Sequence, residues 1–497
     1  MNMNRALFRL SLAVLAMFVL LLLNVNYVQA FQSTSLANRP GNARTFDEQF
    51  QYQRGSIIAA GTGGPTTIAE SVPTKASTSG NTIYQRHYPD GPMYAAITGY
   101  DSIYGATGVE SAYGKYLEGT APGLAVHNLI SLLTGKAKQG ASVNLTVSPA
   151  AQKAAYQALQ QEGRQAGVVA LNPRTGAILA MDSYPSYNPN LLTTFDGTKL
   201  NKVDKQLLTE PSQPLLDRAI NQTYPPGSSF KIVTGAAGFS SGKVASPQAT
   251  VAAPQPLRLP NGNFLNNDGD ETCFGGHPQV IQAFLLSCNT AFANIGIKVG
   301  GPTLQATANK FGWNDANLTI PMQVSPSVIP KVTDPSFTAM SSIGQFDDQV
   351  TPLQEAMDAA AIANHGTLMK PYLLQSVLAP DLTTTASTTP SVLSQAVTPQ
   401  VASDMQSMMV QVTQNTAGTA YQTAGPPAVG SLVIAGKTGT AENTVSGAGL
   451  DDAVFTCFAP ANNPQIAVGV IVKGGGFGAA AAAPIAVKII EAYLGVH

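Results

Sequence analysis

Three short motifs, far apart in the sequence, constrain what this chain can fold into. In chain order they are Ser228-Ser229-Phe230-Lys231, Ser287-Cys288-Asn289 and Lys437-Thr438-Gly439-Thr440. The first follows a Pro-Pro-Gly turn and runs into apolar residues, which is typical of a helix that begins at a tight turn. The third lies in an apolar run that is typical of a strand. A fold that uses all three must bring a helix start, a short turn between helices and a strand together.

Single motifs of this length also occur by chance. Ser-x-x-Lys recurs at Ser240 to Lys243, and Ser-x-Asn recurs three times elsewhere. Ser240 lies between two glycines, which predicts a helix end rather than a helix start. Lys-Thr-Gly occurs once. Local context therefore selects Ser228 and Lys437 as the relevant members of their motifs.

The residue types in the first motif are those that acyl transfer requires. A serine hydroxyl becomes a good nucleophile when a neighbouring base removes its proton. Residues i and i+3 share one face of a helix, so Lys231 can reach the oxygen of Ser228. Lys231 must be neutral to act as the base, and burial and the positive field of Lys437 would both lower its pKa. A helix N-terminus adds positive potential beside the serine.

The second motif supplies groups that such a site needs next to the nucleophile. Ser287 can relay a proton to the leaving nitrogen, and Asn289 can hold the substrate backbone through its amide. Both side chains are short, which suits a turn between two helices. The second motif is therefore predicted to lie against the first.

The third motif is suited to binding the substrate. Lys437 supplies a fixed charge, and the hydroxyls of Thr438 and Thr440 can bind a carboxylate. Gly439 lets another backbone come close. The backbone N–H groups of Ser228 and Thr440 would form an oxyanion hole.

Each motif alone also has a purely structural interpretation. Ser228 could be a helix N-cap, and Lys437 could be the solvated end of a strand. Ser287 and Asn289 could be ordinary loop residues. The occurrence of all three motifs in one chain favours acyl transfer. None of the five histidines lies beside a Gly-x-Ser-x-Gly turn, and no metal-ligand spacing is present, so neither a histidine triad nor a metal or other cofactor is expected.

With these motifs the chain resembles the class B penicillin-binding proteins, the monofunctional D,D-transpeptidases that cross-link peptidoglycan, and among them the actinobacterial penicillin-binding protein A type. The resemblance extends over nearly the whole chain. Outside the three motifs it includes Arg54-Gly55-Ser56-Ile57, Gly108-Val109-Glu110 with Tyr113 and Leu117, residues 167–173, Asp217-Arg218-Ala219, Ile343-Gly344-Gln345, residues 350–354, residues 363–366 and Gly474-Gly475-Gly476. One departure is Gly61-Thr62-Gly63-Gly64, which replaces an Asp-Arg-Asn-Gly-like turn, so the family's local geometry is not carried over there.

The resemblance implies both a mechanism and a fold. Ser228 would be the acylated nucleophile and Lys231 the general base, with peptidoglycan stem peptides as substrates and β-lactams such as penicillins as acylating inhibitors. The implied fold class is α/β (α+β): a transpeptidase domain of the serine β-lactamase type with an antiparallel sheet. A small N-terminal pedestal domain and a membrane anchor would precede it. Pedestal domains of this family contact partner proteins, which for this chain would be a membrane glycan polymerase and division or elongation proteins. The alternative is that the pedestal is only a spacer.

Composition agrees with an extracytoplasmic enzyme. Charged residues make up 11% of the chain, well below the roughly 25% of an average soluble domain. The net charge is −1, and no basic patch for nucleic acid is present. At 497 residues, the chain can form two folded domains and a tether.

The N-terminus predicts a single membrane span. Arg5 and Arg9 flank the start of an almost continuous apolar run from Leu10 to Leu23, so the N-terminus is expected in the cytoplasm. The run is shorter than the roughly 20 residues of a comfortable span. Because Val28-Gln29-Ala30 is similar to a cleavage site, a cleaved signal peptide is the alternative. In both cases the rest of the chain is expected outside the cell membrane.

Three parts are predicted along the chain. Residues 1–30 form the anchor, 31–149 the pedestal, which contains no catalytic constellation, and 150–497 the transpeptidase domain. Residues 61–81 and 382–399 are rich in Gly, Ser, Thr or Pro and are predicted to be exposed loops. Regular elements are predicted by pattern as a helix over 150–159, strands over 167–171 and 177–181, and a closing helix over 479–494.

Other functions share parts of this pattern. A β-lactamase needs a way to activate water, and the class A solution is a Glu-x-x-Leu-Asn loop between the second and third motifs. None is present there, and Glu355 follows a helical pattern that predicts a structural role. A D,D-carboxypeptidase is more similar to a transpeptidase than a β-lactamase is, because its reaction differs only in that water replaces the acceptor amine. A penicillin-acylated sensor or a divisome scaffold with a vestigial serine is the non-enzymatic alternative, and the intact motifs argue against it.

The three cysteines suggest one disulfide. An oxidising compartment favours disulfide formation, and with three cysteines one thiol remains unpaired. The three are Cys273, Cys288 and Cys457. Cys273 lies 15 residues before Cys288 in a Gly-rich loop, whereas Cys457 lies in a strand-like run. A bridge from Cys273 to Cys288 is therefore predicted beside the second motif. Three reduced, buried thiols are the alternative.

Overall fold

A computed structural model describes residues 3–32, 50–75, 82–135, 137–441 and 451–496. The chain divides into one unit of residues 1–53 and 72–85 and a second of residues 54–71 and 86–497. In the first unit, the helix Met3–Tyr27 continues into a π-helical turn, Val28–Gln32. Among the described residues, this is the one helix long and apolar enough to cross a membrane, through the 20-residue segment Phe8–Tyr27. It extends beyond the predicted apolar run at both ends.

The described α-helices, numbered in chain order from α1 to α17, are Met3–Tyr27, Gly91–Thr98, Gly108–Ala112, Gly114–Leu117, Ala125–Leu133, Pro149–Glu162, Gly197–Thr209, Lys231–Ser240, Val280–Leu285, Asn289–Val299, Gly301–Lys310, Pro335–Ser341, Pro352–Ala363, Pro399–Gln414, Tyr421–Ala424, Pro426–Val429 and Gly478–Leu494. Short 3-10 segments lie at Pro122–Leu124, Pro189–Leu192, Gly227–Phe230, Asp268–Asp270 and Cys273–Gly276. The described strands, β1 to β17, are Ile57–Ala59, Thr66–Lys75, Thr82–His87, Asp101–Ser102, Gly105–Ala106, Ser142–Leu145, Ala166–Leu171, Ile178–Tyr184, Leu257–Arg258, Phe264–Leu265, Thr367–Met369, Leu374–Leu378, Thr384–Ser387, Val392–Gln395, Ala435–Ala441, Asp452–Ala459 and Ile466–Val472.

A five-stranded sheet lies at the centre of the second unit, in the order β15-β16-β17-β7-β8. All neighbouring strands in it are antiparallel. Every residue of β7, β16 and β17 is buried, which requires helices on both faces of the sheet. Helices α6 and α17 pack on each other and on the sheet, and α13 packs on β7, β16 and β17. This arrangement leaves β15, which carries the third motif, at one edge.

The predicted helices and strands of the transpeptidase region are confirmed, with small changes at their ends. Helix α6 runs over Pro149–Glu162, with proline in its first turn and Gly163 in the left-handed conformation after its last residue. These are the residues that favour a helix start and a helix end. The closing helix is α17, Gly478–Leu494.

Two loop predictions were wrong in part. Residues 66–75 form β2, whereas residues 76–81 lie outside the described part of the chain. The segment 382–399 contains β13 and β14. β1, β2, β12 and β13 belong to a second sheet, in the order β13-β12-β6-β1-β2-β3, and β14 pairs with β11. Gly, Ser, Thr and Pro enrichment predicts loops on average, but backbone pairing overrides it here: β2 pairs with the preceding strand β1, and β13 pairs with the preceding strand β12.

Candidate active site

The first motif lies on a short 3-10 turn, Gly227–Phe230, that leads directly into α8. Gly227 has a φ of 55°, and a Cβ atom there would lie 2.5 Å from the carbonyl oxygen of Thr440 in β15. Only glycine fits both conditions. The sequence Pro-Pro-Gly thus lets the turn approach the edge strand closely, and Ser228 follows at once. Ser228 is 8% exposed.

Lys231 connects Ser228 to the second motif. Its Nζ lies 2.9 Å from Ser228 Oγ and 2.6 Å from the carbonyl oxygen of Ser287. It also lies 3.2 Å from Ser287 Oγ and 2.6 Å from Asn289 Oδ1. The side chain is fully buried. The spacing of three residues does bring Lys231 to the serine oxygen, as the helical pattern predicts.

The second motif lies in the turn between α9 and α10, as predicted from its short side chains. Ser287 has a positive φ of 62°, and Asn289 is the first residue of α10. Ser287 Oγ lies between two amines, 3.2 Å from Lys231 Nζ and 2.8 Å from Lys437 Nζ. A disulfide joins Cys288 to Cys273, with a Cα–Cα distance of 6.2 Å. Cys457 is a free, buried thiol in β16.

The third motif lies on the edge strand β15, with Lys437 opposite Thr456 of β16. Lys437 Nζ donates hydrogen bonds to Ser287 Oγ and to the carbonyl oxygen of Thr438, 2.9 Å away. A Cβ atom on Gly439 would lie 2.8 Å from the carbonyl oxygen of Pro226, so glycine permits the strand to pack on the turn that carries Ser228. The third motif therefore contacts both of the others.

Burial governs the electrostatics of the two lysines. Burial and the charge of Lys437 lower the pKa of Lys231 well below its ordinary value, and Asp268 opposes this shift. Burial also lowers the pKa of Lys437 to about 7, again against Asp268. Removing an ammonium group from water disfavours its charged form. Lys231 can therefore be neutral at physiological pH, as a general base must be.

Two further residues at the site carry no sequence motif. Asn289 Nδ2 lies 3.0 Å from Asp268 Oδ1, so Asp268 supports the asparagine and places a negative charge near both amines. Thr419 Oγ1 lies 2.7 Å from Thr438 Oγ1. Nothing in the sequence marks Asp268 or Thr419, because each reaches the site from a separate loop.

The structure thus brings Ser228, Lys231, Ser287, Asn289 and Lys437 into one hydrogen-bonded cluster. The adjoining strand β15 contains Thr438, Gly439 and Thr440. Asn289 was expected to hold substrate backbone through its amide. In this structure both ends of that amide are engaged, by Lys231 and by Asp268.

Two family models match parts of this chain. A family model described as the penicillin-binding protein transpeptidase domain matches residues 166–491. A second, described as the penicillin-binding protein A dimerisation domain, matches residues 54–143.

The chain is also similar to named proteins over nearly its full length. It is 40% identical to peptidoglycan D,D-transpeptidase PbpA of Mycolicibacterium smegmatis, over 99% of both chains. It is 38% identical to PbpA of Mycobacterium tuberculosis, again over 99% of both chains. The penicillin G acyl-enzyme complex of penicillin-binding protein A from M. tuberculosis superposes with a TM-score of 0.81 at 36% identity, covering 89% of this chain and 100% of that one. The imipenem acyl-enzyme complex of the same protein gives a TM-score of 0.83 at 36% identity, covering 90% and 99%.

Proposed function

The chain belongs to the class B penicillin-binding protein transpeptidases, and we propose that it uses Ser228 as the acylated nucleophile and Lys231 as the general base. Its activity is that of a peptidoglycan D,D-transpeptidase, which β-lactams block by acylation. One observation supports the assignment of roles most directly. Polar contacts run without interruption from Ser228 Oγ through Lys231 Nζ and Ser287 Oγ to Lys437 Nζ.

In the first half-reaction, Ser228 Oγ attacks the carbonyl carbon of the penultimate D-alanine of a stem peptide, and Lys231 Nζ takes the hydroxyl proton. The backbone N–H groups of Ser228 and Thr440 stabilise the resulting oxyanion. The proton then passes to the nitrogen of the terminal D-alanine through Ser287 Oγ. The C–N bond breaks, D-alanine leaves, and the stem remains as an ester on Ser228.

In the second half-reaction, the amine of a neighbouring stem attacks the ester carbonyl. A proton of the amine returns to Ser228 Oγ through Lys231, and a new amide bond cross-links the two stems. The same residues act in the reverse order. Water in place of the amine would give hydrolysis, which is the carboxypeptidase reaction.

The edge strand provides the binding surface for the substrate. β15 is an edge strand, so an extended peptide can pair with its free edge alongside the third motif. Lys437, as an ammonium group, and the hydroxyls of Thr438 and Thr440 bind the terminal carboxylate. β-Lactams carry a carboxylate in the corresponding position, so they bind at the same place and acylate the same serine.

The apolar helix supports membrane anchoring of the chain. We propose that residues 1–30 form a single-pass anchor with a cytoplasmic N-terminus, that residues 31–149 form the pedestal, and that residues 150–497 form an extracytoplasmic transpeptidase domain. The pedestal is the proposed contact for a membrane glycan polymerase and for division or elongation proteins.

Mass spectrometry with purified stem peptides and a labelled penicillin tests the function. Donor and acceptor stems together should yield a cross-linked product and free D-alanine, and the penicillin adduct should persist for many minutes. Shortened donor without cross-linked product would favour a D,D-carboxypeptidase. Rapid release of hydrolysed penicillin would favour a β-lactamase, and an inert protein would favour the scaffold alternative.

A further inference from the structure

A buried carboxyl group contacts the nucleophile turn through Ser229, the residue after the nucleophile. Ser229 Oγ lies 2.7 Å from Oε1 of Glu355 and 2.9 Å from the carbonyl oxygen of Pro226. Glu355 lies on α13, all of whose residues are buried, and is 1% exposed. The contact bridges 126 positions of sequence. The mechanism above leaves Glu355 without a role.

The number of hydrogens at Ser229 limits how these contacts can form. A serine hydroxyl has one hydrogen to donate, and a carbonyl oxygen or an ionised carboxylate can only accept. If Glu355 is ionised, both neighbours of Ser229 Oγ are acceptors that compete for one hydrogen. If Glu355 is protonated, its hydroxyl donates to Ser229 Oγ, and Ser229 donates to Pro226. Only the neutral carboxyl satisfies both short contacts.

The surroundings of Glu355 favour the neutral form. Other elements contact Glu355 through uncharged residues. Ser229 of the turn contacts its carboxyl group, the hydroxyl of Thr456 in β16 donates to the main-chain carbonyl oxygen of Glu355, and Gly469 of β17 packs beside it. The titratable group that interacts with it is Asp358 on the same helix, and burial and Glu355 raise the pKa of Asp358 well above its ordinary value. No basic side chain among the described residues bonds to its carboxyl. Burial raises the pKa of Glu355 to about 8, against the Ser229 hydrogen bond.

We propose that Glu355 is a positioning residue, whose neutral carboxyl donates a hydrogen bond to Ser229 and so fixes the turn that carries the nucleophile. This inference rests on the proposed role of Ser228. The hydrogen bond from Ser229 to Pro226 closes that turn across Gly227 and Ser228. Ionisation of Glu355 withdraws the donor and weakens the closure. Glu355 touches neither Ser228 Oγ nor Lys231 Nζ, so its effect passes entirely through Ser229.

Close packing makes the position of this turn sensitive to such a change. Gly227 donates its N–H to the carbonyl oxygen of Gly344, 2.9 Å away. On another side, β15 approaches through Gly439. Helix α13 can approach β17 at Glu355 because Gly469 has no side chain, as a Cβ atom there would lie 2.7 Å from Glu355 Cβ. Glu355 is thus the hydrogen-bonding support of the turn on the side of α13.

The test compares Glu355→Gln, which keeps a donor that cannot ionise, with Glu355→Leu, which has none. Asp358→Asn is the matched control, because it replaces another buried acid of α13 that bonds to Trp313 and Gln354 rather than to the turn. The readouts are the acylation rate constant and the dissociation constant before acylation, measured with a fluorescent penicillin from pH 6 to pH 10. Adducts are mapped by mass spectrometry.

At pH 7 the Gln variant should acylate like the unaltered protein. The Leu variant should acylate about tenfold more slowly, the effect of one lost hydrogen bond, with unchanged initial binding. Above pH 8 the unaltered protein should fall behind the Gln variant, and Asp358→Asn, which keeps the Glu355 carboxyl, should still show a fall at high pH.

Identical pH profiles for the unaltered protein and Glu355→Gln would overturn the inference, even if the Leu variant does not fold. Equal losses in the Gln and Leu variants would also overturn it, since packing alone would then explain them. Adducts on Ser228 with indistinguishable variants would refute only the role of Glu355. Absence of any adduct on Ser228 in the unaltered protein would refute the proposed function, and this role with it.

Discussion

The buried amines of Lys231 and Lys437 both contact the Ser287 hydroxyl at the centre of the site, and their different pKa values suit them to different roles. Lys231 and Lys437 both lie within hydrogen-bonding distance of Ser287 Oγ. Two ammonium groups so close would repel, and burial already disfavours the charge on each. The pKa of Lys231 falls well below its ordinary value, and that of Lys437 falls to about 7. These shifts support the proposal that Lys231 is the neutral base and that Lys437 is the amine that can carry charge.

Replacing Lys231, the proposed base, should slow acylation strongly without unfolding the protein. Lys231→Gln should acylate on the order of 10²- to 10⁴-fold more slowly, the usual contribution of a general base. Its melting temperature should not fall greatly, because no paired charge is removed. Lys243→Gln is the matched control, because it makes the same substitution in the second Ser-x-x-Lys motif, where the lysine is exposed. If both variants acylated at the unaltered rate, Lys231 would not be the base.

The charge on Lys437 predicts how binding depends on pH. Its pKa is lowered in the folded protein to about 7, so its ammonium form is lost as pH rises through that value. A penicillin with a free carboxylate should therefore bind better than its methyl ester below pH 7, and this preference should decline above pH 7. Competition binding at pH 6 and pH 9 measures the ratio. A preference that stayed constant over this range would contradict the assigned role of Lys437.

At the scale of elements, the site depends on a turn, a disulfide-linked loop and a strand edge that meet. The disulfide from Cys273 to Cys288 closes a loop of 15 residues beside Ser287 and Asn289. Closing such a loop restricts the unfolded chain, and it also limits how far the second motif can move.

Opening the disulfide should weaken both the fold and the site. Cys273→Ser combined with Cys288→Ser should lower the free energy of unfolding by about 3 kcal/mol in the chain-entropy model, and it should slow acylation. Urea unfolding and penicillin binding measure the two effects. Cys457→Ala, which leaves the bridge intact, is the control, and non-reducing peptide mapping identifies the linked cysteines. Free Cys273 and Cys288 in protein prepared under oxidising conditions would contradict the bridge.

The elements also show what sequence patterns can and cannot predict. Helix α8 and the turn before it followed from Pro-Pro-Gly, and the turn at Ser287 followed from short side chains, because both signals are local. Strands β2 and β13 were missed, because their Gly-, Ser-, Thr- and Pro-rich composition predicts loops, whereas antiparallel pairing with the preceding strands β1 and β12 makes them extended. Glu355 was expected to be structural, but its contact with Ser229 lies 126 residues away in sequence. Asp268 and Thr419 were not predicted at all for the same reason.

At the scale of the whole molecule, a largely buried sheet supports the site, and the apolar N-terminal helix is the proposed tether. The residues of β7, β16 and β17 are all buried, so β15 is held at the edge by a rigid core. The helix segment Phe8–Tyr27 is fully exposed along its apolar length, as expected of a surface that lies in lipid.

Removing the tether should therefore leave the enzyme intact and soluble. A chain that begins at Phe31 should remain in the supernatant after a high-salt wash and ultracentrifugation, and it should take up penicillin at the rate of the full chain in detergent. The full chain without detergent is the control and should sediment with membranes. A truncated protein that still sedimented with membranes would show that another surface holds the chain there.

The most direct test of the account is the mass of the intact protein after incubation with penicillin. The unaltered chain should gain one penicillin mass, peptide mapping should locate it on Ser228, and Ser228→Ala should gain none. Ser240→Ala, which alters the second Ser-x-x-Lys match, should be acylated like the unaltered chain. An adduct on Ser229 or Ser240, or acylation of Ser228→Ala at the unaltered rate, would contradict the assignment of the nucleophile.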